Sequence, residues 1–230
     1  MVHIFDNDNQ IADYIGKLLI DIGNHTKELR ICLSGGNTPR SIYSLLAKNK
    51  ESDIPWEKME FFWGDERCVP PGDHQSNYRM AMESFLGPLN IEMDVIHRIK
   101  GENDPDFERL RYAEIVKSNT NGVFDLFFLG LGNDGHIASI FPNQMFNLNS
   151  RAICEKVIHP DTGQIRITLT GNIINASKNV VFLVTGSGKS DIVREVIQRT
   201  GEWNKYPASH IQPKEGKLIW LLDKNAAALL

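Results

Sequence analysis

FDLFFLGLGNDGHIASIFP, residues Phe124–Pro142, is the stretch from which the rest of the chain can be read. Phe124–Leu129 is a short apolar run broken only by Asp125, the length of one buried strand. It ends in Gly130, Gly132 and Gly135, with Asn133, Asp134 and His136 among them. Glycines directly after a buried strand let the backbone turn sharply and approach a ligand closely. The turn therefore sets an imidazole at the carboxyl end of a strand, where open α/β sheets bind ligands. The spacing Gly130-x-Gly132-x-x-Gly135 also fits a dinucleotide fingerprint, which requires a long helix after the turn. Pro142, six residues beyond His136, argues against that helix.

Outward from this stretch, strands and helices alternate. Ile11, Tyr14, Ile15, Leu18, Leu19 and Ile22 carry the spacing of an amphipathic helix over residues 8–27. Leu29–Leu33 reads as a strand running into Ser34-Gly35-Gly36-Asn37-Thr38-Pro39-Arg40. There Thr38 is expected as N-cap and Pro39 as first residue of a helix reaching Lys48. Strand, glycine loop and helix N-terminus together present free N–H groups and a positive dipole end to an anion; the same arrangement is also a common structural connection. Lys58–Gly64 is the next strand, followed by a charged loop, Asp65-Glu66-Arg67. Ser76 is expected to cap a helix to Leu86, and Val95–Arg98 reads as a short strand. Asp104 and Pro105 open a helix with Phe107, Leu110, Ala113, Ile115 and Val116 as its apolar positions. After the central stretch come a strand at Gln164–Leu169 containing Arg166 and a short helix at 170–177. A buried strand, Asn179–Thr185, runs into Gly186-Ser187-Gly188-Lys189-Ser190 and a helix to about Arg199. Lys217–Asp223 is the last strand, and Asn225–Leu230 reads as a terminal helix. The Gly-Lys-Ser sequence suggests a nucleotide phosphate loop, but that motif needs a glycine where Leu183 stands. Lys189 can still pair with a phosphate as a point charge. The pattern implies one α/β domain over residues 1–230, with a mostly parallel sheet covered on both faces.

Composition narrows the partners. The chain has 230 residues, 41% apolar and 23% charged, as expected of an ordinary globular protein. The net charge of −4 argues against nucleic acid as partner but leaves room for an anionic small ligand in a locally cationic cleft. No apolar run is long enough to span a membrane, and the first ten residues lack the pattern of a secretory signal. Cys32, Cys68 and Cys154 form neither a disulfide framework nor a metal pair, which suits a reducing cytoplasm. No metal motif and no G-x-S-x-G nucleophile elbow occurs. The loops after several strands should gather at one sheet edge, pooling the Ser34–Thr38 amides with Asp65, Arg67, His136, Arg166 and Lys189. Cations and amides suit a phosphate, and a histidine suits proton transfer near neutral pH. Water-mediated hydrolysis, or proton shuffling on a sugar phosphate, fits this inventory better than a covalent or metal route.

Several blocks together resemble the 6-phosphogluconolactonase family of the glucosamine-6-phosphate isomerase/deaminase superfamily. They are SGGNTPR at 34–40, WGDERCVP at 63–70, SNYRMA at 76–81, GLGNDGHIASIFP at 130–142, RITLT at 166–170, FLVTGSGK at 182–189 and PASHIQP at 207–213. The resemblance implies a Rossmann-like three-layer α/β/α fold and a cofactor-free, metal-free esterase. That enzyme opens 6-phospho-D-glucono-1,5-lactone, as a monomer or weak homo-oligomer. It makes His136 the general base, with Asp65 and Arg67 as partners. It makes Ser34, Gly35, Gly36, Asn37, Thr38, Asp134, Gly135, Arg166 and Lys189 the substrate and phosphate site. Arg67 can serve the lactone carbonyl or the phosphate, and Asp134 can orient His136 or hold the turn. Two rival readings are a sister deaminase acting on an amino sugar phosphate and a sugar-phosphate sensor without turnover. Deaminases carry an acidic residue after this histidine block, whereas Ser139-Ile140-Phe141-Pro142-Asn143 has none.

Overall fold

The computed structural model describes residues 1–48 and 53–230. A seven-stranded sheet forms its centre. In chain order its strands are β1 (Val2–Phe5), β2 (Leu29–Leu33), β3 (Met59–Trp63), β5 (Ile96–His97), β6 (Leu126–Leu129), β9 (Asn179–Val184) and β10 (Lys217–Asp223). They lie side by side as β1-β10-β9-β6-β2-β3-β5, all parallel. Parallel strands need crossovers, supplied by α1 (Asp8–Asn24), α2 (Asn37–Lys48), α4 (Pro105–Thr120), α5 (Gly171–Ala176) and α6 (Ser190–Gln198). β6 is buried at every residue and β9 at all but its first, so both faces of the sheet are covered. This is the expected Rossmann-like three-layer arrangement. β9 and β10 are locked by Phe182 stacked on Trp220, with ring centroids 3.9 Å apart.

The strand order positions the site. From β2 the chain winds outward through β3 to β5, then returns to β6 beside β2 and winds the other way. The crevice at that reversal opens between the carboxyl ends of β2 and β6, the place where such sheets bind ligands.

The structure corrects several expectations. Asp65–Arg67 is a strand, β4, rather than a charged loop. It joins β7 (Cys154–Ile158) and β8 (Ile165–Leu169) in a second, antiparallel sheet ordered β4-β8-β7. Neither β1 nor β7 is expected from the sequence; β1 takes its backbone partners from the distant β10, and β7 forms a hairpin with β8. Thr38 does not cap α2. The helix begins at Asn37, two residues earlier than expected, Arg40 N donates to Gly36 O, and the Thr38 hydroxyl instead meets that of Thr185 at 2.9 Å. The terminal residues 225–230 make turns, not a helix.

Of the apolar positions expected for α4, Val116 is buried and Ala113 and Ile115 pack against the core, but the first two turn outward. Phe107 and Leu110 are 61% and 60% exposed, while Glu108, Tyr112, Val116 and Thr120 point in. Glu108 can do so because every donor it needs is present. It accepts from Lys100 N at 2.6 Å, from Asn103 Nδ2 at 2.8 Å and from both arms of Arg111. The Asp104 cap and Pro105 start are as expected. So is Ser76, which caps α3 (Asn77–Ala81).

Candidate active site

A cavity of about 250 Å3 opens at the sheet reversal, and both sheets supply its walls. Ser34, Gly35, Gly36, Asn37 and Thr38 line it at the exit of β2. The buried Tyr43 hydroxyl accepts from Ser34 N at 3.1 Å, and Ser34 Oγ accepts from Gly130 N, tying the β2 and β6 exits together. Gly35 is held to glycine by Asn77, since a Cβ there would stand 1.9 Å from Asn77 Oδ1. The loop feeds directly into α2, whose first amides have no partners within the helix and whose dipole end is positive.

His136 projects from the next exit. Its turn is closed by Gly132 N donating to His136 O at 2.9 Å and Gly135 N to Gly132 O at 3.1 Å. A side chain at Gly132 would lie 2.1 Å from His136 Nδ1, so the curl needs glycine there. Asp134 does both things expected of it. Its Oδ1 accepts from His136 N at 3.2 Å, which holds the turn, and lies 2.6 Å from Nδ1, which orients the ring. Burial pushes the Asp134 carboxyl up, but the His136 hydrogen bond and charge outweigh it and hold the group below its ordinary range. With Nδ1–H given to Asp134, Nε2 of the neutral ring is left as an acceptor. His136 also packs on the buried Phe141 ring at 5.0 Å, and Arg166 lies over the same ring at 5.8 Å.

The small sheet supplies the other wall. Arg67 and Arg166 are directly opposite in the β4–β8 register, as are Asp65 and Thr168, so these side chains share one face. Asp65 is 4% exposed. Its Oδ2 accepts from Ser139 Oγ at 2.6 Å, and Asn77 Nδ2 donates to its backbone oxygen at 3.0 Å. Arg67 Nη1 donates to Gln75 O, and Arg166 Nε to Gln164 Oε1 at 3.2 Å. Burial lowers the Arg166 pKa and nearby Arg67 lowers it further, while Asp65 opposes both. Beneath them Glu66 accepts from Arg67 N, Asn77 N and Tyr78 N, each at 2.8 Å, and from Ser76 Oγ at 3.0 Å. Burial pushes its carboxyl up against the pull of those amides. That cluster fixes β4 to α3.

Lys189, at the start of α6, closes the cavity from the β9 side and donates to Leu131 O at 2.7 Å. Of the residues singled out in the sequence, Ser34 to Thr38, Asp65, Arg67, His136, Arg166 and Lys189 line one cavity. Asp134 and Gly135 do not. Asp134 stands behind the imidazole, and Gly135 packs against the Tyr206 ring. Sequence reasoning missed Asn77 and Ser139, both buried, which hold Asp65 in place. It also missed Ala138, a non-glycine residue in the cavity wall with φ of +46°. No spacing marks them, because Asp65 and Ser139 are 74 residues apart. Among the described residues, no three His, Cys, Asp or Glu side chains are placed to hold a metal ion, and no helix is long and apolar enough to cross a membrane.

A crevice lined by a glycine loop, two arginines and a lysine at a sheet reversal, with a carboxylate-paired histidine on its rim, is the build of an α/β enzyme for a small phosphorylated substrate. Residues 7–220 match the family model described as glucosamine-6-phosphate isomerases/6-phosphogluconolactonase. A 6-phosphogluconolactonase of Haemophilus influenzae is 40% identical over 229 residues, covering 98% of each chain. One from Aggregatibacter actinomycetemcomitans is 42% identical over 203 residues, covering 87% of each. The crystal structure of 6-phosphogluconolactonase from Thermotoga maritima is 28% identical, with a TM-score of 0.87 over 97% of this chain and 99% of that one. The chain belongs to the glucosamine-6-phosphate isomerase/6-phosphogluconolactonase family.

Proposed function

We propose that this protein hydrolyses 6-phospho-D-glucono-1,5-lactone to 6-phosphogluconate, with water activated by His136. The observation that carries the reading is the Asp134–His136 pair on the rim of a cavity that the Gly35–Thr38 loop, Arg67, Arg166 and Lys189 also line. Arg67 and Arg166, directly opposite on one face of a sheet, support it as well. Like charges so placed repel each other, and an anion between them relieves the cost.

The Gly35–Thr38 amides, Arg166 and Lys189 take the phosphate, which fixes the lactone ring relative to His136. Nε2 of His136 removes a proton from water as the oxygen attacks the ring carbonyl, and Asp134 stabilises the imidazolium that forms. Arg67 or the loop amides stabilise the oxyanion. The imidazolium then returns its proton to the ring oxygen as the C–O bond breaks, leaving the open acid. Asp65, held by Ser139 and Asn77, keeps Arg67 and Arg166 in an electrically balanced wall.

The lactone also opens unaided, so the test is a time course of acid release from freshly made substrate, with and without protein. A rate no greater than the spontaneous one would end the proposal. Ammonia release from glucosamine 6-phosphate should be absent, since no acidic side chain stands at Phe141, the buried residue packed on His136. Three free thiols, with Cys32 and Cys154 buried, fit a reducing compartment, and the cytoplasm is the proposed location.

A further inference from the structure

Lys189 reaches the cavity on a flexible four-carbon stem, and such a side chain ordinarily loses much rotamer freedom when it grips a ligand. Here it is already held. An ammonium has three N–H donors. One goes to Leu131 O at 2.7 Å and a second to Asn133 Oδ1. Both acceptors belong to the turn that carries His136, so one nitrogen joins the anion-binding wall to the turn of the base. Among the described residues the third N–H has no partner, which leaves it for a ligand in the cavity that Lys189 lines. The chemistry of residue 133 matters. A carboxamide accepts the hydrogen bond without cancelling the ammonium charge. A carboxylate there would neutralise Lys189 and compete with an incoming phosphate. The neighbouring carboxylate, Asp134, is engaged with His136. Burial also lowers the Lys189 pKa, with Asp134 opposing, as expected of a partly desolvated cation.

We propose that Asn133 is a positioning residue that acts through Lys189: it holds the ammonium ready for the substrate's phosphate and so contributes to selectivity for phosphorylated over unphosphorylated lactones. The inference rests on the function proposed above for the nature of the anion. Pre-fixing the donor lowers the ordering cost of binding, and the benefit reaches only ligands with an anionic group at that end.

The test compares 6-phosphogluconolactone with unphosphorylated glucono-1,5-lactone and measures inorganic phosphate binding by calorimetry. Asn133→Ala should raise KM for the phosphorylated lactone about 3- to 10-fold and weaken inorganic phosphate by a similar factor. It should leave kcat/KM for the unphosphorylated lactone within about 2-fold. Asn133→Asp should raise the first KM further, because its carboxylate pairs with Lys189. In a Lys189→Met background, Asn133→Ala should change nothing more. Equal losses on both lactones would mean damage to the turn and overturn the proposal. So would additive effects in the double variant, or an unchanged phosphate affinity. Absence of lactone hydrolysis by the unaltered protein would instead remove the assigned reaction, and the phosphate arm would still decide the role of Asn133.

Discussion

The two walls of the cavity are made of different material. At the exits of β2 and β6 the wall is largely backbone: unpaired amides at the start of α2 and a tight turn that aims one imidazole. At the small sheet it is side chain: Asp65, Arg67 and Arg166 set by register and braced by Glu66, Asn77 and Ser139. Backbone donors follow from the topology of any parallel sheet that reverses direction, and they carry no desolvated formal charge. Side-chain cations provide stronger and more selective binding, but two of them directly opposite must be balanced by buried acceptors. The backbone wall should therefore govern geometry and turnover, and the charged wall affinity.

His136→Ala tests this division most severely. Its kcat should fall roughly 10²–10⁴-fold with KM little changed. An unchanged kcat in steady-state assays would remove the imidazole from the reaction. Next in size is Gly132→Ala, which adds no charge and touches no substrate. Its methyl group would stand 2.1 Å from His136 Nδ1, so the ring must shift. Displacement of about 1 Å costs on the order of 10²-fold in rate. A KM effect alone would blur the distinction between the walls.

Arg166→Met should do the reverse, raising KM about 10- to 100-fold as one charge-assisted pair is lost, with a smaller change in kcat. Thermal melting adds a sharper point. The variant relieves the Arg67–Arg166 repulsion but also removes the larger attraction between Arg166 and the buried Asp65, so the ligand-free protein should melt somewhat lower than the unaltered one. The same substitution at Arg67 decides its partner: a KM effect assigns it to the phosphate, a kcat effect to the carbonyl.

The smallest expected effect concerns pH. His159 Nδ1 accepts from Asp161 N and Thr162 N at the tip of the β7–β8 hairpin. Burial, then the charge of Arg166, lower its pKa. A histidine with a lowered folded pKa binds its proton more readily when unfolded. Its contribution is thus complete above the unfolded value of about 6.5 and fades as pH falls below it. Hydrogen-exchange protection at residues 159–164 should drop between pH 7.5 and 6.0. In His159→Asn, which keeps an acceptor but cannot titrate, that drop should vanish. Equal pH dependence in both proteins would show that His159 is not its source.

Much of the parallel sheet was legible in the chain itself, because each of its buried strands is a local signal. Leu29–Leu33 and Lys217–Asp223 have the expected bounds, and the glycine turns mark where strands end. The Asp134–His136 pair is local too, two residues apart on one curl. The thiols beside the proposed loops were not. Burial pushes the Cys68 thiol up to about 11 and Cys32 well up, so both stay protonated and poorly reactive.

By itself the sequence determined the alternation of strand and helix, the glycine exits, and the residues that can carry acid–base and anion chemistry. Only the tertiary structure decided that Asp65–Arg67 is a strand, that Arg67 faces Arg166, that Asn77 and Ser139 brace Asp65, and that Glu108 rather than Phe107 points inward. The physical reason is the range of the interactions. Helical and strand periods come from neighbours a few residues apart, whereas Asp65 is braced by Ser139 and Arg67 set against Arg166 only across a large sequence separation, and Glu108 is tolerated in the core only because the folded backbone turns Lys100, Asn103 and Arg111 onto it.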